Sequence, residues 1–198
     1  MIASTPSSKR DLRIDVVVKL GGGLLAHPAH FEGVLATLVE KAASTRLLIV
    51  PGGGPFADTV RRVDRELSLS DDAAHWMAVL AMDQYAHLVV SRLRGGALVN
   101  GHQEIARALD GGQVPVLAPS RWLREVDPLP HSWDVTSDSI AAWVAGMVRA
   151  SHLVLVKPPQ AGKDAVDPYF HRIRPPELRS AEIVPLDQVD RLRECLTV

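Results

Sequence analysis

The sequence is poor in cysteine and has no spacing typical of a metal centre. Its 198 residues include a single cysteine, Cys195, so no disulfide can form within the chain. The eight histidines show neither an HxxxH spacing nor a Cys-His pairing of the kind that binds zinc. We therefore expect a reduced protein and predict no metal-binding residues.

The sequence also lacks long hydrophobic runs and an excess of one charge. No apolar run approaches the roughly 18 residues that a membrane-spanning helix needs. The 22 Lys and Arg residues are interspersed with 23 Asp and Glu residues, for a net charge of −1. No basic surface for nucleic acid or anionic lipid is therefore expected. We expect a cytoplasmic protein whose partners are small molecules or other proteins, with no nucleic acid and no membrane.

Short apolar runs alternate with helical patterns along the chain. The runs are rich in Val, Leu and Ile and are bounded by Gly or Pro, as buried parallel strands are. This alternation predicts an α/β fold with a mostly parallel sheet. The predicted strands are 15–20, 46–50, 97–100, 114–119 and 152–157, and the predicted helices lie near 30–43, 55–67, 72–93, 102–110 and 137–149.

The two ends of the chain differ from this regular pattern. Residues 1–12 are polar, lack the apolar segment of a signal peptide and favour a flexible tail. The rest, 13–198, has no internal repeat and fits one domain. A proline-rich segment, 158–180, predicts a long loop with room for a short hairpin. A last strand and helix are expected within 181–195.

Two glycine clusters follow two of the predicted strands, in "KLGGGLL" and "VPGGGPFADTV". Glycines at the carboxyl ends of parallel strands let the backbone approach a ligand, and the N–H groups of such loops favour an anion. The alternative is a tight turn with no ligand. Two clusters at strand ends, where open α/β sheets bind ligands, favour phosphate binding. Neither cluster is a Walker A loop or a dinucleotide fingerprint.

The stretch "HSWDVTSDSIAAWVAG" at 131–146 places two acids around a predicted helix start. Thr136 or Ser137 can cap this helix, and Asp138 then lies in its first turn, where an acid is favourable. Capping alone does not explain His131, Trp133 and Asp134 directly upstream. Two acids in this position can also hold a lysine, a magnesium ion or a substrate group.

In this order, "VVKLGGG", "VPGGGPFAD", "HSWDVTSDSIAAWVAG" and "HLVLVK" resemble the motifs of the amino acid kinase family. The resemblance implies a three-layer αβα sandwich and phosphoryl transfer from ATP with Mg²⁺. Within the family, the chain is most similar to the branch that works in methanofuran biosynthesis. That branch phosphorylates a phosphomonoester, which links the chain to one-carbon cofactor synthesis. A kinase that acts on a carboxylate acceptor is a weaker variant of this hypothesis.

The resemblance assigns roles to individual residues. It implies that 13–150 forms an acceptor-side lobe and 151–198 a reduced nucleotide-side lobe. The catalytic residues are predicted to be Lys19, Asp138 and Lys163; the phosphate and nucleotide ligands Gly21, Gly22, Gly23, Lys157 and Asp167; and the acceptor ligands Gly52, Gly53, Gly54, Asp58, His131, Trp133 and Asp134. His131 has an alternative role as a helix cap.

The chain departs from the family pattern after residue 157. Relatives carry an acid-rich, glycine-containing turn there, followed by a second catalytic lysine. This chain has "KPPQAGKDAVDPYF" and about thirty further residues. Lys163 either supplies the missing charge or is a solvated loop lysine. The shortened nucleotide lobe leaves a second hypothesis open, a catalytically silent relative that binds a metabolite or a partner subunit.

One predicted helix, 72–93, carries a stripe of large side chains. Such a stripe is more typical of a core or an interface than of a substrate pocket, and we keep both interpretations. Family members dimerise near 55–90, so the resemblance implies a homo-oligomer, with a hetero-complex as the alternative. The stripe consists of His75, Trp76, Met82, Asp83 and Tyr85.

Overall fold

A computed structural model describes residues 12–162 and 165–198. The tail predicted for 1–12 lies outside the described residues except for Leu12, whose side chain is buried in the core. Lys163, the predicted second catalytic lysine, also lies outside them. No helix in the described part of the chain has both the length and the apolar character to cross a membrane.

Six parallel strands form one central sheet, in the order β3-β4-β2-β1-β5-β6. The two central neighbours of β1 are β2 and β5, and Lys19 pairs in register with Val50 and Leu155. The prediction of a mostly parallel sheet is thus confirmed. The strands are β1 Val16–Leu20, β2 Leu47–Pro51, β3 Gly96–Val99, β4 Val114–Leu117, β5 His152–Lys157 and β6 Ser180–Pro185.

Helices cover both faces of this sheet, as in a three-layer sandwich. A 3-10 turn, Gly22–Ala26, follows β1 directly. The helices are α1 Pro28–Ala42, α2 Gly54–Leu67, α3 Asp71–Arg92, α4 His102–Asp110, α5 Ser120–Val126, α6 Ser137–Met147, α7 Phe170–Ile173 and α8 Val189–Cys195.

The alternation of side chains along β1 assigns its residues to two separate cores. Val16, Val18 and Leu20 face the core that contains α1 and α8. Val17 faces the opposite core, which contains α6. Because side chains alternate along a strand, Lys19 lies on the α6 side of the sheet. The strand therefore brings a lysine into contact with the start of α6.

Two predictions about local structure were wrong. No helix was predicted at 120–126, yet α5 forms there and buries Trp122 and Leu123. Its seven residues span less than two full periods, so the sequence pattern is too short to detect. The segment 158–180 contains α7 rather than a hairpin in its described part. The last strand and helix formed within the expected range, as β6 and α8.

Candidate active site

Two lysines contact one buried carboxylate where β1 and β5 end. Lys19 Nζ lies 2.7 Å from Asp138 Oδ1, and Lys157 Nζ lies 2.5 Å from Asp138 Oδ2. Lys19 and Asp138 are almost fully buried. The three side chains form a charged triad that carries one net positive charge when all are ionised. We call these residues the Lys-Asp-Lys triad.

Burial and pairing act in opposite directions on this triad. Burial opposes the charged form of Lys19 and lowers its pKa below 10.5; Asp138 offsets part of that effect, and Lys157 adds to it. Burial also opposes ionisation of Asp138, but the two lysines outweigh it and hold the Asp138 pKa below 3.8. Asp138 is therefore a carboxylate at neutral pH, positioned to hold both amino groups.

The start of α6 is fixed by a second buried carboxylate. Asp167 accepts hydrogen bonds from the backbone N–H groups of Thr136 and Ser139, at 3.0 Å each. It also accepts from the hydroxyls of the same two residues, at 2.8 and 2.5 Å. Thr136, one of the two predicted candidates, is itself the N-cap. These bonds hold the first turn of α6, and with it Asp138, against the segment after β5.

The two glycine loops approach each other closely beside the triad. A Cβ atom at Gly22 would lie 2.5 Å from Gly54 Cα, and Gly54 has a positive φ of 54°. Only glycine permits this contact between two backbones. The hydroxyl of Tyr85, which is buried on α3, donates a hydrogen bond to the Gly21 carbonyl at 3.4 Å. The loops are thus packed together without intervening side chains.

A cavity of about 220 Å³ opens over the triad and the glycine loops. Lys19, Lys157 and Asp138 contribute to its wall, together with Gly22 and Gly54. Helices α2 and α3 supply further polar groups, among them Asp58, Arg61, Asp71 and His75. The cavity therefore combines buried positive charge, two glycine loops and a polar rim.

Trp133 forms one side of the cavity and is held by two contacts with α2. Its indole N–H donates to Asp64 Oδ2 at 2.7 Å. The Arg61 guanidinium lies 4.8 Å from the ring centroid, in cation–π contact. Arg61 also pairs with the exposed Asp58 at 3.1 Å. The indole and the guanidinium thus line the same cavity as the triad.

His131 lies away from this cavity wall, in a cluster with α3. Its Nδ1 is 2.6 Å from Asp72 Oδ1, and its Nε2 is 2.9 Å from Asp127 Oδ1. These two hydrogen bonds raise the His131 pKa. Its ring stacks on His75 at 4.0 Å between centroids. Burial, reinforced by His131, lowers the pKa of His75 to about 4.

A model of the amino acid kinase family matches residues 16–158, which span every motif of this site. The chain belongs to the amino acid kinase family. The fold agrees, because uridylate kinase from Archaeoglobus fulgidus superposes with a TM-score of 0.68 at 16% identity, over 91% of this chain and 96% of that one. UMP kinase from Bacillus anthracis gives 0.62 at 14% identity, over 93% and 92%.

A curated relative from Methanocaldococcus jannaschii is 27% identical over 139 residues. It is named [5-(aminomethyl)furan-3-yl]methyl phosphate kinase. The aligned region covers 70% of this chain and 63% of the relative, so this chain spans less than two thirds of that protein. Membership of the amino acid kinase family rests on the family model, and the relative adds a specific activity to consider below.

Most residues that the family resemblance assigned come together at one place. The triad contains Lys19, Asp138 and Lys157. Of the predicted acceptor ligands, Gly53, Gly54, Asp58 and Trp133 line the cavity, whereas Gly52, His131 and Asp134 lie outside its wall. Among the predicted phosphate ligands, Gly22 also lines the cavity, and Gly21 and Gly23 are its neighbours in the chain. Asp167 contacts the start of α6 instead.

Several cavity residues of this family member had not been predicted. Arg61 and Asp71 had no predicted role, and neither did Ser132, although it lies within the motif at 131–146. Asp58 and Arg61 are spaced as an ion pair on one helix face. The stripe on α3 belongs partly to the core and partly to the cavity, the two interpretations that the sequence left open. His75 and Met82 line the cavity, while Tyr85 is fully buried in the core.

Proposed function

We propose that the protein is a small-molecule kinase that transfers a phosphoryl group from Mg-ATP to a phosphomonoester acceptor. The observation that carries this proposal is the Lys-Asp-Lys triad, in which one buried carboxylate holds two amino groups beside two glycine loops. Phosphoryl transfer requires mainly positioning and charge stabilisation, because its transition state is loose and rich in negative charge. The triad supplies both.

Each part of the site has a role in this reaction. Lys19 bridges the donor and acceptor phosphates, Asp138 orients both amino groups, and Lys157 contacts the donor. An anionic phosphate next to Lys19 favours its ammonium form and so raises the pKa that burial lowers. The backbone amides around Gly22 and Gly54 suit phosphate oxygens, because no side chain stands between the loops. Gly23, Gly53 and Asp167 keep their predicted ligand roles as part of the proposal, whereas the N–H groups of Gly21 and Gly52 already donate to the carbonyls of Val156 and Leu20.

The nucleotide brings the metal in this proposal. ATP with Mg²⁺ supplies the transferred phosphoryl group. Both carboxylate oxygens of Asp138 already contact lysines, so we assign Mg²⁺ to the nucleotide phosphates and not to this carboxylate. Lys163 remains a candidate for a second donor-side charge.

The acceptor end of the cavity supports a small phosphorylated, partly aromatic substrate. Arg61 offers a planar guanidinium that suits phosphate, and Trp133 offers a flat surface for a ring. The name of the curated relative refers to such a substrate, a furan that carries a methyl phosphate. We therefore propose an acceptor of this class, in one-carbon cofactor synthesis of the methanofuran type. His131 and Asp134 would then act near the acceptor only indirectly.

A second function stays open because a specific observation favours it. The segment after β5 lacks the acid-rich turn of the family, and its described part contains only α7 before β6. A silent relative would keep the cavity and bind a metabolite or a partner subunit. It would show no nucleotide-dependent chemistry.

Phosphoryl transfer can be tested directly by ³¹P NMR of reactions that contain Mg-ATP and a panel of phosphomonoesters and carboxylates. We expect a new diphosphate signal with a furanylmethyl phosphate. We expect Lys19→Ala to lower the rate by about 10²- to 10³-fold, the range for losing one charge-stabilising group. Asp110→Asn, at an exposed position at the end of α4 that is not part of the cavity wall, is the control. If ATP is bound but no acceptor in the panel reacts, the acceptor assignment is wrong.

A further inference from the structure

Three side chains that carry potential metal ligands lie together beside the cavity and apart from the Lys-Asp-Lys triad; His75 lines the cavity, whereas Asp127 and His131 lie outside its wall. His75, Asp127 and His131 each offer one ligand atom, and these atoms lie within 4.8 Å of one another. We propose that these three residues bind a divalent transition-metal ion of the zinc class, with Asp72 orienting His131. Nothing in the kinase chemistry described above uses this site.

The hydrogen bonds of His131 match the environment of a metal-bound histidine. Such a histidine typically donates its second ring N–H to a carboxylate, which fixes the tautomer and the ring orientation. Asp72 is that carboxylate, 2.6 Å from Nδ1. The opposite nitrogen, Nε2, points toward Asp127 and is the atom available to the ion.

The composition of the group suits zinc. Zinc is bound tetrahedrally by His nitrogen and Asp oxygen at about 2.0–2.2 Å, which places neighbouring ligand atoms about 3.3 Å apart. Small side-chain rotations would bring three atoms within 4.8 Å to that spacing. The carboxylates of Asp72 and Asp127 offset the charge of the ion.

Two further side chains pack around the ligands. Trp76 packs edge-on against His131, with 5.3 Å between the ring centroids. The Arg124 guanidinium lies over the Trp76 ring, 4.3 Å from its centroid. Two ligands lie between α5 and α6, and the third lies on α3. The ion would therefore fix the segment that leads to Trp133 and α6 against the helix that lines the cavity. Its role is structural.

Zinc binding can be measured by calorimetry on the full chain after removal of metals by chelation. We expect one Zn²⁺ per chain for the wild type, and binding weakened at least about tenfold in His75→Ala and in Asp127→Asn. Asp127 has a positive φ of 43°, and Asn tolerates that conformation, so Asp127→Asn retains the local backbone. His87→Ala, exposed on the same helix, is the matched control and should bind as the wild type does.

A spectroscopic readout separates this site from surface binding. Co²⁺ should give the strong visible absorption of a four-coordinate ion with the wild type and the His87→Ala variant, and lose it in the other two variants. Zn²⁺ should raise the melting temperature of the same two proteins only. The proposal is overturned if no saturable binding occurs. His131 would then only join the carboxylates of Asp72 and Asp127 through hydrogen bonds. Binding that persists in both ligand variants also overturns it, and assigns the ion to other histidines such as the neighbouring pair His27 and His30.

Discussion

At the scale of single residues, one carboxylate, that of Asp138, holds two amino groups. Asp138 is more deeply buried than an acid normally is, and its ionised form persists because Lys19 and Lys157 contact its two oxygens. Removing the carboxylate would leave the two amino groups unpaired, and removing the amino groups would leave the carboxylate unpaired. The residues of the triad are therefore expected to affect stability as well as activity.

Asp138→Asn should destabilise the protein strongly. The substitution keeps the side-chain shape but leaves two amino groups next to a neutral amide. Breaking a buried ion pair on one side costs about 3–5 kcal/mol. We expect a fall of this size in the free energy of unfolding at pH 7, measured by urea denaturation. Asp110→Asn, at an exposed position at the end of α4, should change it by less than about 0.5 kcal/mol.

The same variant gives a test by pH. The Asp138 pKa lies lower in the folded protein than the unfolded value of 3.8, so its stabilisation is present above 3.8 and is lost as pH falls through the folded pKa. The stability difference between wild type and Asp138→Asn should therefore shrink below pH 3.8. A difference that stays constant down to acid unfolding would show that Asp138 is not the paired group.

Gly22→Ala should separate the two glycine loops. The added Cβ would lie 2.5 Å from Gly54 Cα, and backbone cannot yield as a flexible side chain can. We expect a loss of about 1–3 kcal/mol of stability and at least tenfold weaker binding of a nucleotide analogue. A Cβ atom at Gly101 would lie in open space, so Gly101→Ala should leave stability and nucleotide binding unchanged. If the two alanine variants behave alike, close packing of the loops is not needed for binding.

At the scale of elements, α6 depends on a carboxylate from a distant part of the chain. Asp167 accepts hydrogen bonds from two residues in the first turn of the helix and is itself buried. This contact links the segment after β5 to the helix that carries Asp138. The segment thus contributes to the position of the triad, in addition to any ligand role.

Asp167→Ala should loosen the start of α6. Two backbone N–H groups and two hydroxyls would lose their acceptor, and we expect a cost of about 2–4 kcal/mol because buried donors are left unsatisfied. Hydrogen exchange should show faster exchange at the Ser139 amide than at amides of α1. Asp187→Ala, an exposed aspartate after β6, provides the reference. Unchanged exchange at Ser139 would rule out the capping role.

The sequence predicted elements well where their signals are local. Strands β1, β2 and β5 were predicted to within a residue at either end, because Val, Leu and Ile runs end at Gly or Pro. The N-cap Thr136 was also predictable from its residue type. The bonds from Asp167 to α6 were not, because they join parts of the chain that become neighbours only after the sheet forms. The same holds for the His75, Asp127 and His131 cluster, since spacing patterns detect only ligands that are close in sequence.

At the scale of the whole molecule, the sequence indicated the fold through the order of its motifs. Lys19 and Asp138 could be assigned singly from the family pattern, whereas the contact of Lys157 with Asp138 required the pairing of β1 with β5. The position of α5 and the cation–π contact of Arg61 with Trp133 depend on tertiary packing and carry no sequence signal.

The family resemblance also predicts a homo-oligomer through α2 and α3. Met77 and Leu80 on α3 are 37% and 43% exposed and lie three residues apart, on one face of the helix. We expect a dimer by light scattering after size exclusion, and a monomer for Leu80→Glu. Met147→Glu, at an equally exposed position on α6, should remain dimeric. A monomeric wild type, or a dimer that Leu80→Glu leaves intact, would contradict this assembly.

The proposed kinase function requires a working donor site at the Lys-Asp-Lys triad. Calorimetry with a non-hydrolysable Mg-ATP analogue measures this site without an acceptor, with wild type, Lys19→Ala and a control, Lys41→Ala on α1, side by side. We expect binding in the micromolar range that Lys19→Ala weakens at least tenfold, or about 1.4 kcal/mol, and that Lys41→Ala leaves unchanged. The absence of binding to the wild type up to millimolar nucleotide would contradict it and favour the silent relative.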